Sequence, residues 1–428
     1  MLELFIVISF AFIGAIIGCI TGLIPGLHVN NIALILLSLS GTIAFSLSTV
    51  SIIESEIVPI LVCVIIIATS ISHTFVNIIP STFLGVPEED TALVLLPAHS
   101  MLLEGKGYGA ISLSAMGSFG AIIMSFILLI PFRFLIGPPV NFYGLLGEII
   151  PWILLAISIA LIGTEKSTRH VAYAILIFLL SGIFGMLAMD ADVSSPIGIH
   201  ASLLFPALAG LFGVSTLFHS FNTNVLPEQK LDDEKFDFIE GSKDVGTGVI
   251  AGSIVSILPG VTSAVATIMA MVARGKKDRK NVIVTLSAVN TATSFFVISV
   301  LFMIGKARSG SAIVINEIME IDRWSSAAPP YSLCYLLIAV VVTACLSYYA
   351  TKSLGKIIAK HISSIPYNTV AKISVITIFI MVFLFTGFTG IVALIAGTLI
   401  GLLCLELGVR RSTCMGVLLL PIMLTYFL

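Results

Sequence analysis

Residues 14–37 read GAIIGCITGLIPGLHVNNIALILL. An apolar run carries a Pro-Gly pair, a histidine and two asparagines at its centre. Proline removes a backbone donor and clashes with the preceding turn, and glycine lets the chain leave helical geometry. In water such a break is an ordinary loop. In hydrocarbon the freed carbonyls need partners in protein or trapped water, so the break implies a polar cavity at that depth. The solvent around this stretch therefore decides the fold.

Composition supplies the answer. Of 428 residues, 58% are hydrophobic and only 10% charged, and the mean hydropathy is +1.14. A soluble domain of this size needs far more charge to cover its surface. Apolar runs long enough for a bilayer recur, as at 2–18, 111–130, 171–189 and 282–304. The expected fold is all-α, a multi-pass protein of the cell membrane with roughly ten to twelve segments embedded in the lipid bilayer.

Other classes fall away. Strand-period alternation is absent, which excludes a transmembrane barrel. The opening MLELF has neither a basic region nor a small-residue cleavage site, so the first segment is expected to stay in the membrane. The six cysteines stand singly in apolar surroundings, and the seven histidines form no metal spacing. A net charge of −2 offers no basic field for nucleic acid. No nucleophile elbow and no phosphate loop occurs, so the chain is not expected to be an enzyme and no cofactor is expected.

The longest polar stretch, His219–Asp244, separates two hydrophobic halves, 1–218 and 245–428, with 219–244 as the linker. The halves resemble each other twice in the same order. GCITGLIPGLHVNNIALIL has its counterpart in GVIAGSIVSILPGVTSAVATIM, with spaced glycines, a Pro-Gly step, a polar patch and an apolar helix. SHTFVNIIPSTFLGVPEEDTALVLLP pairs with AVNTATSFFVISVLFMIGKARSGSAIVINEI. After the first Pro-Gly helix the turn is acidic, with Glu54 and Glu56, whereas the second-half turn carries Arg274, Lys276, Lys277, Arg279 and Lys280. Lys/Arg-rich short loops stay cytoplasmic, so the two turns are expected on opposite faces, as in an inverted-topology repeat with broken or re-entrant helices.

A half-helix starting after each break would present unpaired N–H groups and a positive dipole end to an anion such as a carboxylate. The candidate substrate-binding groups at the breaks are Gly26, His28, Asn30 and Asn31 after Pro25, and Gly260, Thr262 and Ser263 after Pro259, with the two prolines as the structural breaks. A second pair of polar clusters places Asn77 with Ser72, His73 and Thr74, and Asn290 with Thr291, Thr293 and Ser294. The two asparagines stand in matching positions and are assigned to substrate or ion contact. For the Ser and Thr residues, interhelical hydrogen bonding is an equal alternative. His73 and His99 could titrate near neutrality or simply pack. Glu88, Glu89 and Asp90 suit a solvated turn, with a cation or proton site as the alternative. Lys306 and Arg308 could draw an anion or anchor the turn at the interface.

At these residues the chain resembles the large permease subunit of the tripartite tricarboxylate transporter family. The likeness lies in GCITGLIPGL, FLGVPEEDTALVLLPAHSMLLEGKGYGAISLSAMGSFGA, IHASLLFPALAGLFGVSTL, AGSIVSILPGVTSAVATIMA and LSAVNTATSF, and it spans most of the chain. It implies a secondary transporter of small organic anions, driven by a Na⁺ or H⁺ gradient. It also implies two partners, a small membrane subunit and an extracytoplasmic binding protein. The family usually has Pro-Gly-Leu-Gly-Pro where this chain has Pro25-Gly26-Leu27-His28-Val29, and a Gly-Ile-Pro-Gly-Glu-type turn where this chain has GVPEEDT. The added negative charge speaks against a trivalent citrate-like substrate entering by that turn, and the departures together favour a divergent member, one that could act with or without those partners, over a typical citrate permease. A lipid-linked or other amphiphile translocator on the same fold is the alternative reading, and a homodimer is an assembly open to either.

Overall fold

A computed structural model gives the fold and describes residues 2–24, 29–48, 54, 56–85, 95–137, 140–163, 165–190, 195–196, 203–220, 226–234, 237–258, 263–275, 278–307, 309–326, 328–362, 364 and 367–427. Every regular element among them is helical. The first half contains α1 (Leu2–Gly22), α2 (Val29–Ser48), α3 (Val58–Val76), α4 (Ile78–Leu84), α5 (Leu95–Leu103), α6 (Gly107–Ile136), α7 (Tyr143–Gly163) and α8 (Thr168–Asp190). It closes with α9 (Leu204–Leu208), a π-helical turn (Ala209–Val214) and α10 (Ser215–Ser220). The second half contains α11 (Phe238–Val255), α12 (Ser263–Arg274), α13 (Arg279–Ile304), α14 (Gly310–Ile318), α15 (Tyr331–Ile362) and α16 (Tyr367–Glu406). A 3₁₀ turn (Arg411–Met415) leads into α17 (Gly416–Phe427).

Among the described residues seven helices are long and apolar enough to cross a membrane, and four shorter apolar helices accompany them. The chain is thus an all-α, multi-pass membrane protein. The longest of these helices, α16, has non-helical dihedrals at Gly387 (φ 60, ψ −152), which split it into two pieces. Large exposed apolar side chains, among them Phe5, Phe12, Ile127, Ile159, Leu187, Ile376 and Leu399, form the outer surface. By contrast α3, α4 and α13 are almost wholly buried. A helix apolar all round with no outward face belongs in the centre of a bundle.

These two central rods are packed alike. Glycines let the backbones approach closely, as small residues do between membrane helices. A Cβ on Gly14 would lie 2.6 Å from Ala68 Cβ and 2.7 Å from Ile65 O, while one on Gly248 would lie 2.8 Å from Ala288 Cβ and 2.8 Å from Thr285 O. At Gly18 the neighbours are Thr69 O, Ser72 Cβ and His73 N; at Gly252 they are Val289 O, Ala292 Cβ and Thr293 N. The interval between the two sets is constant. It holds to the helix ends, where Gly85 (φ 66) and Gly305 (φ 69) each supply a left-handed cap. The flanking helices exchange in step: α3 lies against α1 and α15, and α13 against α11 and α6.

The rods run in opposite directions. Gly107 sits beside Phe83 at the end of α4, and Glu104 just before it binds Arg279 at the start of α13. We call this the basic end, since Arg274, Arg279, Lys280 and Lys352 gather there. At the opposite end Glu3 on α1 accepts a hydrogen bond from Tyr331 on α15, and Trp324 N donates to Phe302 O at the end of α13. The polar stretch His219–Asp244 is only partly a connection, because α10 contains its first two residues and α11 takes up its end from Phe238.

Candidate functional site

Both breaks are bracketed by helices as the sequence suggests. α1 ends at Gly22 and α2 begins at Val29; α11 ends at Val255 and α12 begins at Ser263. Pro25, Gly26, His28, Pro259, Gly260 and Thr262 lie outside the described residues, as do Glu88, Glu89, Asp90 and Arg308. Asn30 and Asn31 fall in the first turn of α2, and their side chains are likewise outside. Ser263 is buried at the first position of α12, and its carbonyl accepts from Thr267 Oγ1 at 2.9 Å.

The last turns of α1 and α11, before the two breaks, pack against the polar cluster of their own central rod. In the first half His73 Nδ1 lies 3.3 Å from Thr21 Oγ1, in the last turn of α1. A Cβ on Gly22 would come 3.0 Å from His73 O and 3.0 Å from Val76 Cβ. In the second half Gly252, the counterpart of Gly18, meets Thr293, the counterpart of His73. The two rods then touch, Thr74 Oγ1 lying 3.5 Å from Ser294 Oγ, at the long limit of a hydrogen bond. Residues more than two hundred positions apart in sequence thus join into one buried polar belt.

Several of its members are committed to packing. Thr69 Oγ1 donates to Gly14 O at 3.1 Å, and Ser72 Oγ donates to Ala15 O at 2.8 Å. Ser287 on α13 pairs with Ser114 on α6 at 2.7 Å. Such bonds hold helices together in lipid, so for Thr69, Ser72 and Ser287 the packing role is the observed one. Thr291 differs, because its hydroxyl is fully buried and finds no partner.

Asn77 and Asn290 are both buried, but the structure corrects their equivalence. In the packing register the counterpart of Asn77 is Val297 and that of Asn290 is Ser70, so the asparagines are about two turns out of step. A polar pattern in sequence gives no register, whereas close backbone contact does. The offset brings them to one level. Asn77 lies three residues beyond Thr74, about 4.5 Å toward the basic end. Asn290 lies four residues before Ser294 on a rod of opposite direction, about 6 Å toward that same end. The chain turns at Asn77 between α3 and α4, where Pro80 cannot donate to the Val76 carbonyl.

Among its described residues the belt contains hydroxyls, amides and an imidazole but no fixed charge. Among the described residues the buried Asp, Glu, Lys and Arg side chains are Arg133, Asp244 and Arg411. Arg133 Nη2 donates to Trp324 O at 2.9 Å and Ser325 O at 3.0 Å. Asp244 pairs with Arg274 at 3.0 Å, and Arg411 donates to Leu211 O at 2.6 Å beside the π-helical turn. No group of three or more His, Cys, Asp or Glu among the described residues could hold a metal ion. The sequence reading missed Arg133, Arg411 and the engaged linker acids, since their partners are carbonyls and distant helices.

Comparison with known proteins agrees with this architecture. The chain is 29% identical to an uncharacterized protein of Methanocaldococcus jannaschii over 97% of its own length and 98% of the relative's. No solved structure matches it. The model of the tripartite tricarboxylate transporter TctA family matches residues 8–416, nearly the entire chain. The chain belongs to the tripartite tricarboxylate transporter TctA family.

Proposed function

We propose that this transporter-family protein is the permease of a secondary transport system for small organic anions, carboxylates foremost, with its site in the polar belt at the centre of the bundle. The carrying observation is the meeting of two alike-packed, oppositely directed rods at Thr74 and Ser294, each flanked by a broken helix pair. That arrangement supports an inverted repeat of 1–218 and 245–428 joined by 219–244, a design in which one half rocks against the other around a fixed site. By the positive-inside rule the basic end is cytoplasmic and the protein sits in the plasma membrane.

With no fixed charge in the described belt, the anion would be held by helix N-termini at the breaks and by amides and hydroxyls, including Asn77, Asn290 and Thr291. A co-transported Na⁺ or H⁺ would offset its charge. The tripartite family implies further subunits and a substrate-binding protein; for this chain we assign a small membrane subunit and an extracytoplasmic receptor.

Purified protein in liposomes, offered labelled mono-, di- and tricarboxylates under Na⁺ and proton gradients, tests the reading. Gradient-dependent accumulation of a carboxylate is expected. Scrambling of a labelled lipid without carboxylate uptake would replace it with the amphiphile translocator.

A further inference from the structure

The connection between the halves lies along the basic end and binds both of them. Gln229 is buried; its Oε1 accepts from Gly107 N at 2.9 Å and its Nε2 donates to Leu102 O at 3.1 Å. Lys230 N donates to Gly105 O at 2.8 Å. Gly105 has φ +77, and a Cβ there would lie 2.8 Å from Glu228 O, so the seat admits only glycine. Asp233 accepts from Ser112 Oγ at 2.8 Å and Tyr108 OH at 3.1 Å on α6, and from Lys352 Nζ at 2.6 Å on α15. Glu234 meets Lys280 of α13 at 2.8 Å and Lys106 at 3.8 Å. Beside them Glu104 binds Arg279 through both oxygens, at 2.6 and 3.2 Å.

The opposite end is held differently. Among the described residues the side-chain hydrogen bonds between the halves there include Lys306 to the Tyr143 hydroxyl, Arg133 to two carbonyls, and Tyr331 and Tyr335 to Glu3. Among the described residues none of these is an ion pair. A duplicated protein has a single connection, which crosses one end only and makes the two ends unequal.

We propose that Leu226–Glu234 is a latch that, through Asp233 and Glu234, holds the basic ends of the two halves together, so that the polar belt opens toward that end only when the latch releases. This rests on the transport reading above in one respect, that the halves move against each other. The first half seats the segment through Gln229 and Gly105, and the second half is caught through Lys280 and Lys352. Ion pairs at a wet surface are individually weak, which suits a contact that must break in every cycle.

The test places a single cysteine at Ser294 in a chain whose six native cysteines are replaced. In inverted membrane vesicles a charged, impermeant methanethiosulfonate then reaches it only from the basic end. The Asp233→Asn, Glu234→Gln double variant is expected to react about fivefold faster than the parent. Lys280→Glu should do the same, and adding Glu234→Lys should restore the slow rate. Should the double variant fail to fold, the parent serves alone: raising salt from about 0.05 to about 1 M, which shortens the screening length to about 3 Å, should speed labelling. Rates that ignore both the substitutions and salt overturn the latch. Labelling needs no substrate, so the two readings fail separately. Latch-dependent labelling without any uptake would sink the transport reading alone, and uptake with unresponsive labelling would sink the latch alone.

Discussion

Thr74 and Ser294 hold the same place in the packing of their respective halves, and their hydroxyl oxygens lie 3.5 Å apart. Two equivalent residues can touch only at the axis that relates their halves. Under the inverted repeat proposed above, the candidate site is centred on that axis, between rods whose outer contacts are made at glycines.

Those glycine contacts give the first expectation. In Gly18→Ala the new Cβ would sit 2.4 Å from Thr69 O, and in Gly252→Ala 2.7 Å from Val289 O. Backbone cannot give way as a side chain can, so each change should destabilise by about 1–3 kcal/mol. Gly41→Ala, with nothing within 4 Å, should be neutral or gain up to about 1 kcal/mol from helix propensity. Thermal melts in detergent check it, and three equal shifts would contradict the packing described.

Asn77 and Asn290 approach one level from opposite directions. If both touch a ligand, Asn77→Ala and Asn290→Ala should each weaken substrate binding about tenfold, or about 1.4 kcal/mol. A packing amide would cost stability by about 0.6 kcal/mol and leave affinity alone. Substrate-induced thermal stabilisation separates the two, and wild-type affinity in both variants would assign the asparagines to the scaffold.

Sidedness is the third expectation. Single cysteines at Asp278 and at Glu54 should be labelled by an impermeant reagent from opposite faces, Asp278 from the cytoplasm. Labelling of both from the same side would remove the inverted repeat.

The latch has a definite pH window. Hydrogen bonding from Lys280 holds the Glu234 carboxyl below its ordinary value, and that from Arg279 does so for Glu104. For Asp233 burial pushes upward, but bonds from Lys352, Ser112 and Tyr108 outweigh it and the net direction is down. A depressed folded value means the stabilisation is complete above the unfolded carboxylate range, about 3.9–4.3, and is lost as pH falls through the folded value. Melting temperature should be flat from about pH 5 to 8 as far as these groups are concerned and fall below about pH 4. The Asp233→Asn, Glu234→Gln variant should lose part of that acid limb. An unchanged limb would mean the acids are not engaged in the membrane-embedded protein.

Sequence by itself determined the solvent, and with it the class. At 58% hydrophobic and 10% charged residues the backbone must satisfy itself in lipid, and without strand-period alternation only helices do so. Proline and glycine act locally, and described helices end at Gly22 and Val255 before the two Pro-Gly steps and start at Val29 and Ser263 after them. The likeness of the two halves was legible as a motif order. Its register was not: polar clusters suggested matching Asn77 with Asn290, whereas backbone contact at Gly14, Gly18, Gly248 and Gly252 makes Thr74 the partner of Ser294. The linker likewise read only as a polar divider of the halves, since charge in a sequence carries no partner. Tertiary structure alone set Asp233 against Lys352 and Glu234 against Lys280, because those pairs exist only once antiparallel rods bring the start of α13 beside the end of α4.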